Sequence, residues 1–171
     1  MEQSIFKIKK AFLVPFFLIV SLLGVLLLLS LFKGQVWETA ILFISLIGTL
    51  VVGIEAANRE IIVNQDGLKL KKFFRIKNVN WKDVTHLAVV ALNKKVFFLL
   101  TTNKGFYFFS NLYEKHSLLI HSIVNMLDIE KVEIEVKNYL DHPVERRSLI
   151  VICWLTVLII IAFIILKLIS A

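Results

Sequence analysis

Six basic residues crowd one short stretch, Lys69, Lys71, Lys72, Arg75, Lys77 and Lys82, with no acidic residue among them. Cations in that density attract phosphate headgroups, and each one held near an anionic surface can contribute about 1 kcal/mol. The alternative is a solvated face that only marks the basic side of a membrane. Further on, Asp128, Glu130, Glu133, Glu135, Asp141 and Glu145 outnumber the bases around them. That acidic stretch could pair with the basic one, within a chain or between copies, or stay solvated.

Little else in the sequence is equipped for chemistry. His116 and His121 are five apart and so off a common helix face, which makes a poor metal pair. His86 and His142 stand alone, and the single cysteine, Cys153, lies in an apolar run, so neither a disulfide nor a CxxC metal site can form. Nucleophilic catalysis needs a serine or cysteine beside an activating base, and no G-x-S-x-G, HExxH or P-loop occurs. The expectation is a non-enzyme with no catalytic residue, metal, cofactor or small-molecule substrate. Phe73, Phe74, Tyr107 and the lysines could stack nucleic-acid bases, but aromatic residues in strands fill cores, and no nucleic-acid partner is expected.

The elements that must position these residues follow from composition. The chain has 171 residues, 58% hydrophobic and only 19% charged, with a mean hydropathy of +0.80. Soluble domains average about 25% charged. Uncharged runs at 11–32, 39–54 and 148–166 hold the excess. A span needs about 20 apolar residues, which predicts transmembrane helices at about 11–32, 36–57 and 148–167. The first run is longer than the roughly 7–15 residues of a signal peptide and lacks a small-x-small exit, so it reads as an uncleaved anchor. No ionisable residue lies deep in a span, which argues against a transporter or channel; Glu55 is expected as a solvated residue at a span end. Ser45, Thr49, Gly53 and Ala57 recur every fourth position of the second span, a small-residue stripe suited to close helix packing within the chain or between copies.

Charge sets the orientation. Lys7, Lys9 and Lys10 precede the first span, Lys33 alone separates the first two, and all the rest except Lys167 lie between residues 58 and 147. Because lysine and arginine near span ends stay cytoplasmic, residues 1–57 form a tail and hairpin whose tip is outside. Residues 58–142 form a cytoplasmic domain, and 143–171 carry the third span to an external C-terminus. Arg146 and Arg147 before that span agree, and Trp37 suits an outer interface.

Within the domain, residues 60–64 read as a strand closed by Asp66-Gly67, a hairpin turn. Residues 68–74 alternate and then break phase at Lys72-Phe73, a bulge, before a corner over 78–83. Strands follow at 84–92, 96–102 and 106–109, with turns at 93–95 and 103–105. A helix is expected at about 112–127 and a further strand at 131–137, where Val132, Ile134 and Val136 alternate with charges.

That order resembles the bacterial pleckstrin-homology-like domains of small membrane proteins. The resemblance rests on a span hairpin running into the first strand, on Asn64-Gln65-Asp66-Gly67-Leu68, on the Trp81-Lys82-Asp83-Val84 corner and on the hairpin around Lys104-Gly105-Phe106-Tyr107. It covers roughly residues 1–127. It implies an α+β domain, a bent antiparallel sheet capped by one helix. It also implies a scaffold or accessory interaction module in a bacterial inner membrane, docking other membrane proteins or copies of itself. The departures are fewer strands than the seven of that pattern and a third span after the domain. Phe73 stands two residues before Arg75, where a phosphoinositide signature needs a base, so specific inositide binding is not expected. Binding of anionic lipid through residues 69–82 is the alternative function.

Overall fold

The computed structural model describes residues 3–92, 95–145 and 147–169; the expected turn at Asn93-Lys94 and the cation Arg146 lie outside them. The chain divides into two units, one comprising Lys10–Ala57 with Arg147–Ala171, the other Met1–Lys9 with Asn58–Arg146.

The first unit is helical. Its apolar runs wind into α1 (Lys10–Lys33), α2 (Val36–Asn58) and α5 (Ser148–Ile169), so that each backbone polar group in the helix interior is satisfied without water. All three are long and apolar enough to cross a membrane. Cys153, Val157 and Ile160 lie four and three apart, hence on one face of α5, and bury against Ile19 and Leu26 of α1. On α2, Gly53 is buried because a Cβ there would come within 2.9 Å of the Phe16 ring of α1. The Ser30 and Thr39 hydroxyls meet at 3.1 Å near the other end, and Glu38 pairs with Lys167. The hairpin α1–α2 therefore begins and finishes at one end of this unit. Glu55, expected in solvent, is instead 7% exposed.

The second unit is a pair of antiparallel sheets. One has the order β1-β2-β3-β4, formed by Ser4–Lys7, Glu60–Val63, Gly67–Lys72 and Arg75–Asn80. The other has the order β5-β6-β7, formed by Val84–Leu92, Lys95–Thr102 and Gly105–Ser110. Ile61, Leu68 and Val79 of the first sheet and Leu87, Val96, Phe98, Leu100 and Phe109 of the second are buried. Each stands on one side of its pleat, as alternation requires. Short α3 (His116–Val124) and α4 (Ile134–Asp141) add Leu119, Ile120, Ile123 and Val136 to the core. The Phe98 ring is sandwiched by Phe109 at 5.5 Å and Tyr139 at 5.1 Å.

Two turns show their chemistry. Gly67 admits no side chain, because a Cβ would lie 2.1 Å from the Val79 carbonyl, and Asn64 N–H closes that turn onto the Gly67 carbonyl. At the corner, Trp81 is buried and its Nε1–H donates to the Asn64 carbonyl at 2.9 Å.

Four expectations are corrected. Seven strands precede α3 rather than five, because β1 lies ahead of the helical hairpin and pairs with β2 behind it, Ser4 opposite Val63 and Lys7 opposite Glu60. The phase break at Lys72-Phe73, expected as a bulge, is a two-residue hairpin turn, Phe73-Phe74, leading into β4, which takes in the first three residues of the expected 78–83 corner. The predicted helix start at 112 is too early, since Leu112–Glu114 bond to Lys7–Lys9 and the helix opens at His116. The strand at 131–137 is replaced by a bridge from Val132 to Leu87 and by α4. Val132 is buried at that bridge, Val136 and Tyr139 are buried three apart on one face of α4, and Ile134 is 69% exposed, so the alternation at 132, 134 and 136 runs across two different elements.

Phe73 and Phe74 both carry positive φ, 50° and 56°, a region that costs an L-residue roughly 1–2 kcal/mol. Asn-Gly is the favoured pair for such a turn. Phe73→Asn with Phe74→Gly should therefore raise stability by about 1 kcal/mol, net of exposed ring contacts. Thermal unfolding of the full chain in detergent checks this; a clear loss of stability would contradict it.

Candidate functional site

The turn geometry gathers three of the six predicted cations. In an antiparallel pair, residues directly opposite share a face. Lys72 stands opposite Arg75, and Leu70 opposite Lys77, so Lys72, Arg75 and Lys77 lie on the face of β3–β4 that carries Leu68 and Val79. These side chains border a cleft of about 440 Å³ whose other wall is β7 and Tyr113. Lys77 extends over the Tyr107 ring, 5.5 Å from its centroid. The Phe73 ring has the Lys72 ammonium at 5.3 Å and the Arg59 guanidinium at 5.6 Å.

Lys72 and Arg75 stand directly opposite one another across the turn, two cations on one face of the hairpin. The cleft can therefore hold an anionic group between cations, with aromatic and aliphatic surface beneath.

The other predicted cations are elsewhere. Lys71 borders the cleft but is tied to Glu60 at 3.4 Å. Lys69 is exposed opposite Asn78 on the other face. Lys82 sits in the Trp81–Asp83 corner, at the opposite end of β4 from the Phe73-Phe74 turn. The small-residue stripe does not form one packed face within the chain: Gly53 is buried, Thr49 half-buried, and Ser45 and Ala57 exposed. Thr49 donates to the Ser45 carbonyl at 2.7 Å.

The acidic stretch has nearer partners. Asp128 pairs with Lys131 at 2.8 Å, Glu133 with His86 at 2.7 Å and Glu145 with Lys9 at 3.9 Å. Among the described residues, no group of three or more histidine, cysteine and acidic side chains could hold a metal ion. No family model, curated protein or solved structure matches the chain.

The aromatic wall of the cleft was not recognisable as part of a site. Tyr107 and Phe109 alternate with Phe106 and Phe108, which are 66% and 60% exposed. Alternation could have divided that run into two faces, but only the packing of the two sheets shows that Tyr107 meets Lys77. Opposite pairing also puts Phe106 with Thr101, Phe108 with Leu99, and Val90 with Phe97. The outer face of this sheet is thus largely apolar.

Below the core, His116 is buried beside Tyr139, and its Nε2 has no hydrogen-bond partner among the described residues. Burial, then the Lys9 ammonium, hold its imidazole below the ordinary value, and burial pushes the Tyr139 phenol up to about 12. When pH falls through the ordinary imidazole value of about 6.5, the unfolded chain takes up the proton first, so stability must fall with it. Thermal midpoints between about pH 7.5 and 5.5 should decline in the native protein and decline less in His116→Gln; equal slopes would contradict this.

Proposed function

We propose that this is a non-enzymatic, multi-pass protein of a bacterial cytoplasmic membrane, in which α1, α2 and α5 anchor a pleckstrin-homology-like module on the cytoplasmic side. In this reading the module engages anionic lipid headgroups through Lys72, Arg75 and Lys77, with Tyr107 behind them. The single observation that carries it is the gathering of those cations along one cleft, with the Tyr107 ring under Lys77. The architecture adds support: sheets of four and three strands followed by α3, and an N-terminal strand that pairs across the helical hairpin. A protein bearing basic residues on both flanks of that hairpin retains them on the cytoplasmic side.

The outer face of β5–β7 favours a second role as a scaffold for other membrane proteins or a second copy. Val90, Phe106 and Phe108 are exposed there at 47%, 66% and 60%, and contiguous apolar patches mark interaction surfaces.

Headgroup binding can be read on the full chain in neutral detergent by titrating dioctanoyl phosphatidylglycerol, with dioctanoyl phosphatidylcholine as control. Replacing Lys72, Arg75 and Lys77 together by glutamine should weaken the anionic lipid by roughly a hundredfold at low salt, at about 1 kcal/mol per cation. The loss should shrink as salt screens exposed charges. Equal affinity in the native and substituted proteins would overturn the reading.

A further inference from the structure

We propose that the Phe73-Phe74 turn is a membrane wedge, two phenyl rings inserted at the boundary between headgroups and acyl chains beside the cation cleft. This rests on the headgroup reading for its membrane and its neighbouring charges, and it adds an apolar contact that the reading does not contain.

Three observations carry it. Both residues have positive φ, 50° and 56°, in a region that is a genuine outlier for a bulky side chain. The two-residue turn itself requires that backbone, which asparagine and glycine would adopt without strain. The choice of phenylalanine is thus what needs a reason, and the core gives none, because the rings are 63% and 68% exposed. Flanking charge supplies the second observation. Lys72 precedes the rings and Arg75 follows them, and Arg59 and Lys72 sit over the Phe73 face. Apolar rings edged by lysine and arginine suit an interface in which rings sink by roughly 5–10 Å while cations stay with phosphates.

The third is register. Lys7 is opposite Glu60, and Glu60 is opposite Lys71. Chain connectivity takes Lys7 to the start of α1 at Lys10 and brings Glu60 from the end of α2 at Asn58. At no more than about 3.6 Å per residue, these links reach about 11 Å and 7 Å. The turn is thus at the end of the sheet where the chain meets both candidate spans. At the opposite end lies the Gln65-Asp66 turn, whose residues are polar and exposed. A bilayer is the occupant these features share; a protein partner or second copy would leave the nearness to the spans unused.

The test uses the full chain with Cys153→Ala, spin-labelled at Phe73→Cys, Phe74→Cys or Gln65→Cys, one copy per lipid nanodisc. Labels at 73 and 74 should lose access to an aqueous nickel chelate and gain access to oxygen, while the label at 65 stays aqueous. Aqueous behaviour at 73 and 74 overturns the wedge, as does shielding that appears only with two copies per disc or only in native membranes, which would assign the turn to a protein. Because a label could disturb the turn, Phe73→Asn with Phe74→Gly provides a second readout. Amides at 72–76 should exchange slowly in native nanodiscs and much faster in this variant, whose thermal midpoint does not fall; unchanged exchange overturns the wedge. Headgroup titration separates the two failures: a buried tip with undiminished lipid affinity after cation removal sinks the headgroup reading alone, and an aqueous tip with lost affinity sinks the wedge alone.

Discussion

The ladder between β1 and β2 is the constraint on which the rest depends. Its partners, Ser4–Lys7 and Glu60–Val63, are separated by the whole of α1 and α2. Closing so long a loop is entropically unfavourable, and four residues of pairing gain little by themselves. Two features make it possible. The α1–α2 hairpin returns to where it began, with Gly53 against Phe16 near one end and the Ser30 and Thr39 hydroxyls together near the other. Beyond the ladder, Ile8 bridges to Tyr113 and Lys9 N–H donates to the Leu112 carbonyl. β1 is therefore bonded on both sides, to β2 and to the segment after β7. Strands cannot pair across a bilayer, so any membrane crossed by the hairpin leaves both strands on one side of it.

Electrostatics then act on a frame already set. Exposed ion pairs such as Lys104–Asp83 at 2.8 Å add little to stability because solvent screens them, though the Asp83 hydrogen bond raises the Lys104 ammonium above its ordinary value. Burial of Phe98, Leu87 and Ile61, each wholly enclosed, stabilises the unit by roughly 1.5–3 kcal/mol apiece. The fold can thus tolerate two strained phenylalanines beside the neighbouring cations Lys72 and Arg75. Those features sit together at one end of one sheet, where local rules are broken in favour of charge and exposed apolar surface. Sites at which local preference loses to the global fold are where function is expected.

Much of this was legible in the sequence, and the reasons are physical. The three long apolar helices were clear because length and absence of charge are strong signals, and the expected bounds fall within one or two residues of α1, α2 and α5. Asp66-Gly67 announced its turn by residue type. Phe73-Phe74 did not, because neither residue carries a turn preference, and so β4 was hidden: Arg75, Lys77, Asn78 and Asn80 are polar and only Val79 is buried. β1 escaped because four residues ahead of a hydrophobic helix have no pattern of their own; their partner lies beyond the hairpin. The candidate cations were visible as a cluster, but a list of six could not be divided. Pairing register divides it, setting Lys72, Arg75 and Lys77 on the cleft face and leaving Lys69 and Lys82 off it.

The most direct measurement is oxidative cross-linking of Ile5→Cys with Ile62→Cys in the full chain with Cys153→Ala, in isolated native membranes. These positions are directly opposite in the ladder, within the roughly 4.4–6.8 Å between Cα atoms that a disulfide spans. Rapid formation of an intramolecular disulfide is the predicted result. Two thiols that never join, and that impermeant reagents reach from opposite faces of the membrane, would contradict it.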